Sequence, residues 1–569
     1  MIDWFKHIQE LKQEGELGLF ELQFAKFIAN QESNPDNILI SCAVLVASDQ
    51  LSGNICTDLN ELENSVLASK LHLKTKSPDE IKKTLTSSLS VGTPGDFKPI
   101  ILENNKLYLH KYWSYEEEIT KWLKAKANKQ DQRLSESEIK HIESLFPESV
   151  DVFDFQKLAT QLALIKELLI ISGGPGTGKT YTVKKILEAL LEKGAKLKIA
   201  LAAPTGKAAE RLNESIREVF PELEAVTVHR LLGARRNGEF KHGNENKLLH
   251  DIVIIDEASM LDIRLWIGLA RSLKNNCKLI LLGDKDQLAS VEAGSVLGDI
   301  CHKSDAKFSK LTLNELDYSQ DDLIKNNSEN ALNDNIVLLD KSYRVTSDSG
   351  ISQWGKAINE QDVEGFFKLS EESQQLGTLR PSESILLELF DKYVDEIISG
   401  EFKTQYLSSN KKGFFGTEKL NSRIEKLLKS KLGVIPNQEW YLKRRIIATK
   451  NDFSLGIKNG EIGFCDYVED GEYFVSFESA KRISASQLKY YDLAYAITIH
   501  KSQGSEFNNV YLFLSDSFNP VLSKELLYTG VTRARENALV IGKRELIKQV
   551  ILNEIKRTSS IQEKLKQNF

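Results

Sequence analysis

The chain has 569 residues, 41% hydrophobic and 27% charged, enough for three or four compact domains with ample cores, and its formal net charge of −6 excludes a wholesale polyanion coat. Any nucleic-acid contact must therefore be a local basic and polar groove. Cys42, Cys56, Cys277, Cys301 and Cys465 show no C-x-x-C pair and no metal-ligand spacing, and the start MIDWFKHIQELKQEGEL lacks an apolar signal core, so buried thiols in a reducing cytoplasm and no membrane span are expected.

Taken from the amino end, residues 1–110 mix helical periodicity (Phe20, Phe24, Phe27, Ile28) with an apolar Ile38 to Ala47 segment and read as a small, separable helical domain without chemistry. Residues 111–149, with the charged run Lys124 to Glu143, read as a connector. A first lobe is expected at 150–345. It opens with the apolar run Leu168-Leu169-Ile170-Ile171, then Gly173, Gly174, Pro175, Gly176, Thr177, Gly178, Lys179 and Thr180, then a helical pattern from Tyr181. Strand, glycine loop and helix is the context that a phosphate-binding loop requires. Glycines turn N–H groups toward phosphate oxygens, Lys179 reaches the terminal phosphates, and Thr180 offers a hydroxyl to Mg²⁺. That helix is expected to stop at Gly194, and the strand Lys196 to Ala202 follows.

The next informative strand, Asp251 to Ile255, ends in Asp256-Glu257. A carboxylate at the carboxyl end of a buried parallel strand faces the metal and the attacking water, which makes Asp256 the metal-side acid and Glu257 the general base. The plain alternative is an acidic pair capping a helix over Met260 to Leu273. The strand Lys278 to Leu282 then leads into GDKDQL, where Gln287 can touch both a γ-phosphate and a moving strand, as a sensor does. Asn314 to Asn335 is rich in Asn, Asp and Ser and reads as a mobile surface loop.

A second lobe is expected over 346–569, with a helix at Thr417 to Leu428 and strands at Val510 to Leu514 and Leu539 to Gly542. Inside it, about 444–490 alternates short β patterns with Gly and Asn-Gly turns, the signature of a small β-barrel. The fold class is therefore α/β: two RecA-like nucleotide-binding lobes, a small β insertion and a helical amino-terminal domain.

APTGKAAERL (Ala203 to Leu212), TVHRLLG (Thr227 to Gly233), GDKDQL, SYR (Ser342 to Arg344), TIHKSQGSEF (Thr498 to Phe507) and YTGVTRARE (Tyr528 to Glu536) resemble, in order, the helicase motifs of superfamily 1, in its branch that moves 5′ to 3′ on single-stranded DNA. With NICTDL at Asn54 to Leu59, LYLHKYWSYEEEI at Leu107 to Ile119 and DFQKLATQLAL before the phosphate loop, the chain resembles the RecD family, the alpha subunit of exodeoxyribonuclease V. The resemblance implies an ATP- and Mg²⁺-dependent DNA helicase motor without a nuclease site, assembled with RecB-like and RecC-like subunits at duplex ends, in break repair and recombination. It implies that the insertion is SH3-like and guides the strand, and that residues 1–110 dock on the RecC-like subunit.

By the same resemblance Gln156 reads adenine and Glu506 contacts ribose. Arg344 and Arg533 approach the γ-phosphate from across the cleft, while Arg535 reads as a surface ion pair. DNA contacts fall on Pro204, Thr205, Thr227 and His229 in the first lobe and on Thr498, His500 and Lys501 in the second, although His500 also fits a satisfied core histidine. SYRV departs from the family's SYRF, which bears on the packing beside Arg344. The alternatives are a free-standing RecD-like helicase or relaxase-type motor, and an ATP-gated binding subunit whose hydrolysis is a switch.

Overall fold

The structure is a computed structural model that describes residues 4–128, 133–147, 154–191, 197–290, 292–302, 307–316, 331–339, 350–452, 454–477 and 482–566. Gly194, Arg344 and most of the Asn314 to Asn335 stretch lie outside these residues.

The amino-terminal region is not purely helical. Helices Trp4–Gln13, Leu19–Gln31 and Asn37–Leu51 pack with a four-stranded sheet, β1 (Thr57–Asp58), β2 (Val91–Gly92), β3 (Ile100–Glu103) and β4 (Lys106–Leu109), ordered β1-β4-β3-β2. Strands of two to four residues are too short to show a period of two, so only the helices were legible. Asp36 starts the long helix by accepting from the Ile38 N–H at 2.7 Å, and Leu39 to Ala47 are buried around the whole helix circumference.

The expected connector is also structure. His110–Ala127 is a helix whose Ile119 and Leu123 share a core with Trp266 and Leu269 of the helix Ile263–Ser272, and Arg271 holds Glu118 at 2.6 Å. Buried Lys126 donates to the Cys277 carbonyl at 2.6 Å. The expected connector therefore holds this helix, fastened to the first lobe, and a second one, Glu136–Leu145, whose Ile142 packs with Ala189.

That lobe is a parallel sheet of β5 (Leu168–Gly173), β6 (Ile199–Ala203), β7 (Ala225–Thr227), β8 (Ile252–Ile255), β9 (Lys278–Gly283) and β10 (Ile336–Leu339), ordered β10-β5-β9-β8-β6-β7. The strands are buried on both faces, as their unbroken Val/Ile/Leu/Ala runs require. The predicted helix over Met260 to Leu273 is instead a 3₁₀ turn, Ala258–Met260, then a helix from Ile263, because Asp262 caps it by accepting from the Leu265 N–H at 2.8 Å.

In the second lobe β11 (Leu376–Leu379) and β12 (Thr404–Ser408) precede the insertion, whose strands are β13 (Arg445–Ala448), β14 (Ile462–Glu469), β15 (Glu472–Phe477), β16 (Arg482–Ser484) and β17 (Tyr491–Leu493). The lobe resumes with β18 (Ala496–Thr498), β19 (Phe507–Phe513) and β20 (Ala534–Ile541), in a parallel order β11-β20-β19-β12-β18. The insertion is antiparallel, ordered β16-β15-β14-β13-β17, with its own core of Ile446, Cys465, Val475 and Phe477. All five cysteines are buried and free.

The carboxyl end departs from the expected second lobe. After the helix Arg544–Leu552 the chain leaves the second lobe, and Ile561 and Leu565 enter the core built by Tyr108, Trp266 and Ile300.

Candidate active site and nucleic-acid interface

β5 ends at Gly173, the loop turns through Gly174 to Gly178, and the helix Lys179–Leu191 starts directly on Lys179. Gly176 and Gly178 take φ +83° and +82°, a conformation that costs an L side chain about 1–2 kcal/mol. Thr177 closes the turn by donating to the Gly174 carbonyl at 2.9 Å. Lys179 Nζ lies over the loop, donating to the carbonyls of Gly173 at 2.6 Å and Gly174 at 2.9 Å. Gln156, buried and capped into its helix by Asp154, donates to the Thr177 carbonyl at 3.0 Å, so it braces the loop from behind.

The acids stand where β8 and β9 end. Asp256 is half-buried: burial, and then the neighbouring Glu257 charge, push its carboxyl up to about 6, against the pull of Lys179. Asp284 is pushed up to about 6 by burial, likewise opposed by Lys179. Two carboxyls beside one ammonium, one of them enclosed and one half-buried, form a site that favours added positive charge. Thr180 and Asp256 are hard oxygen donors, the chemistry that Mg²⁺ prefers, and Asp256 is the donor whose charged form a cation would stabilise. Glu257 holds φ +54°, a strained value for a non-glycine residue, and its N–H donates to Asp256 Oδ1 at 2.8 Å.

Asp284 escaped the sequence reading, although it follows β9 as Asp256 follows β8. Tyr528, from the second lobe, donates to Asp284 Oδ2 at 2.9 Å. Two further bonds cross the lobes beside it: the Leu288 N–H donates to Thr529 Oγ1 at 2.8 Å, and Gln503 Nε2 donates to the Leu288 carbonyl at 3.1 Å. Gln287, buried, therefore sits in a segment held by both lobes. Arg533 is buried at 3% exposure and donates to the carbonyls of Thr529 at 3.1 Å and Ser505 at 3.4 Å.

Glu506 is taken up by arginines on either side: Arg211 Nη2 at 2.8 Å from the first lobe, and the exposed Arg535 at 3.0 Å, the surface pair expected for Arg535. Arg211 also donates to the Gly504 carbonyl at 3.1 Å. Its role went unread because nothing local in GKAAERL shows which acid it meets.

The residues expected to touch DNA line the carboxyl edges of both sheets. Thr205, Thr227 and Thr498 share one job: each caps the next helix, accepting from the N–H of Ala208 at 3.2 Å, Arg230 at 3.2 Å and Lys501 at 3.3 Å respectively. Pro204 is half-buried and His229 exposed. Lys501 pairs with Asp492 of the insertion at 3.0 Å. His500 is half-buried, and burial followed by the Arg557 charge holds its imidazole below the ordinary value. The insertion reaches the first lobe as well, where Lys458 meets Glu210 at 2.8 Å.

Three family models match this chain: an AAA domain over residues 156–293, a UvrD-like helicase C-terminal domain over 493–541, and the N-terminal domain of RecBCD enzyme subunit RecD over 13–108. RecBCD enzyme subunit RecD of Buchnera aphidicola subsp. Acyrthosiphon pisum is 32% identical, the match covering 95% of this chain and 97% of that protein. The Haemophilus influenzae subunit of the same name is 29% identical over 97% of this chain and 98% of its own length. A solved Pif1 helicase from Bacteroides, in complex with ADP-AlF3 and ssDNA, is 20% identical over 74% of this chain and 95% of that one, with a TM-score of 0.37. With the nucleotide loop, the paired lobes and the amino-terminal domain all accounted for, the chain belongs to the RecD family and is an ATP-dependent DNA helicase.

Proposed function

We propose that this chain is a 5′-to-3′ single-stranded DNA translocase, the motor subunit of a RecBCD-type complex with RecB-like and RecC-like partners. The observation that carries the reading is the bonding of Asp284 and Leu288 to Tyr528, Thr529 and Gln503, because it ties the phosphate side of the first lobe to two motifs of the second lobe, one beginning at Tyr528 and one that contains Thr498, His500, Lys501 and Gln503.

The loop N–H groups and Lys179 bind the substrate's phosphates, Gln156 keeps the loop in shape, and Glu257 takes the proton of the attacking water. Thr180 and Asp256 would hold Mg²⁺, which when bound neutralises charge on the phosphate oxygens. Arg533 of the second lobe, together with Arg344, supplies positive charge to the phosphates, a contribution on the order of 10³ to 10⁵ in rate for an arginine finger. Glu506 exchanges Arg211 for the ribose when the nucleotide binds. The capped helix starts at Thr205, Thr227 and Thr498, with Pro204, His229, His500 and Lys501, hold the strand through its phosphates, which suits a motor that must not stall on sequence. Closure of the lobes around ATP, and opening after hydrolysis, moves the two DNA-binding edges relative to each other.

Strand displacement tests it. A duplex with a 5′ single-stranded tail is unwound with ATP and one with only a 3′ tail is not; the reverse preference refutes the polarity. Co-purification of RecB-like and RecC-like proteins from the native cell supports the assembly, and their absence supports a free-standing motor.

A further inference from the structure

Residues 553–566, which match no helicase motif, form a strap from the second lobe to the rest of the molecule. Its root is in the second lobe: Asn553 accepts from the Lys524 N–H at 2.8 Å, and the Ile555 N–H donates to Glu525 at 3.2 Å. Its far end is in the seam between the amino-terminal domain and the first lobe, where Thr558 exchanges bonds with Asn54 and Ile55, and Lys564 meets Glu103 at 2.9 Å and Glu117 at 3.1 Å.

Between the two anchors stands Arg557. Its Nη1 donates to the carbonyls of Glu292 at 2.8 Å and Gly294 at 2.9 Å, and its Nη2 donates to the carbonyl of Ser290. Those carbonyls belong to the turn that directly follows Gln287 and Leu288. The sensor segment is therefore gripped twice: ahead of the turn by Thr529 and Gln503 of the second lobe, and within it by Arg557 of the strap rooted in that lobe. The same guanidinium bears electrostatically on His500 of the DNA-facing motif. A planar fork of donors can hold several carbonyls in one fixed geometry, which a lysine point charge does not reproduce.

We propose that Arg557 is a positioning residue that couples DNA-dependent movement of the second lobe to the Gln287 segment, so that stimulation of ATP hydrolysis by DNA passes in part through the carboxyl-terminal strap. The proposal rests on the motor reading. Arg557 touches neither the phosphate loop nor Asp256 or Glu257, so its removal leaves ATP binding and basal turnover in place.

The test uses the full chain as wild type, Arg557→Ala and Arg557→Lys, measuring kcat and KM for ATP with and without oligo(dT), and the melting temperature of each. The expected result for Arg557→Ala is a fall of about tenfold in DNA-stimulated kcat, within the usual range of coupling between sites, with basal kcat and KM within about twofold of wild type. Arg557→Lys is expected to keep the melting temperature and recover only part of the stimulation. Full stimulation in either variant overturns the proposal, and so does an equal fall in basal and stimulated kcat. Should Arg557→Ala fail to fold, Arg557→Lys decides by the same criteria. A wild-type chain without DNA stimulation refutes the motor reading and the proposal with it, an outcome distinct from stimulated wild type with unaffected variants.

Discussion

Lys179 donates to two carbonyls of its own loop, so its loss removes charge without removing packing. Lys179→Gln should keep the wild-type melting temperature and lose far more than tenfold in DNA-stimulated ATP hydrolysis, because one missing charge on the transferred phosphoryl group costs several kcal/mol; activity within tenfold of wild type rules out the assignment. Glu257 yields a second test from its positive φ of +54°. Glu257→Gln should bind ATP and DNA normally and fail to hydrolyse. Glu257→Gly should be equally inactive yet at least as heat-stable, since glycine relieves a strain of about 1–3 kcal/mol. A Gly variant that melts well below the Gln variant would show that the backbone there is unstrained.

At the scale of elements, the strap sits on a half-buried acid. Asp299 accepts from Ser559 Oγ at 2.8 Å, and burial is the first cause that pushes its carboxyl from 3.8 up to about 7. A folded-state value above the unfolded one means that the folded chain binds more protons between those limits. The stability linked to Asp299 is therefore present at the acid end and lost as pH rises through about 7. Asp299→Asn, an isostere that cannot ionise, should melt higher than wild type at pH 8, by up to a few kcal/mol of stability. The advantage should fade as pH falls toward 4, and thermal melts of both chains at several pH values check the sign. A variant uniformly less stable at all pH values would mean that the ionised carboxylate is wanted where it stands.

For the whole molecule, a separable amino-terminal domain, as the sequence suggests, conflicts with the packing. Ile55, Cys56, Ile101 and Tyr108 lie in one continuous core with Trp266, Leu281 and Ile300 of the first lobe. Tyr108 also holds the strap through a 2.6 Å bond to Ser560. Removing residues 1–110 should therefore expose that core, giving an aggregating chain or one melting more than about 10 °C lower, a core loss of several kcal/mol. A soluble truncated chain with full DNA-stimulated ATPase would show that the first lobe closes its core alone. Docking on a RecC-like subunit is better probed on the intact chain, by surface substitutions at exposed Phe20 and Phe27.

The sequence by itself determined the phosphate loop, the acid pair after β8, the two parallel sheets and the β insertion, because each is written in contiguous residues whose spacing reflects a local period or turn. Asp256 and Glu257 were legible because a buried apolar strand ending in carboxylates constrains where those carboxylates stand. Tertiary structure alone decided the partners of long side chains: Tyr528 on Asp284, Arg211 on Glu506 and Arg557 on the turn after Gln287 join residues more than 240 positions apart, and no local pattern encodes such a meeting. It also decided that the first part of the expected connector, His110–Ala127, is a helix packed on the first lobe, since helical charge can face either water or a buried carbonyl such as that of Cys277. The same holds for the carboxyl end, whose sequence is that of an ordinary polar tail and whose place in the seam comes from an acid-lined niche assembled from Glu103, Glu116, Glu117 and Asp299.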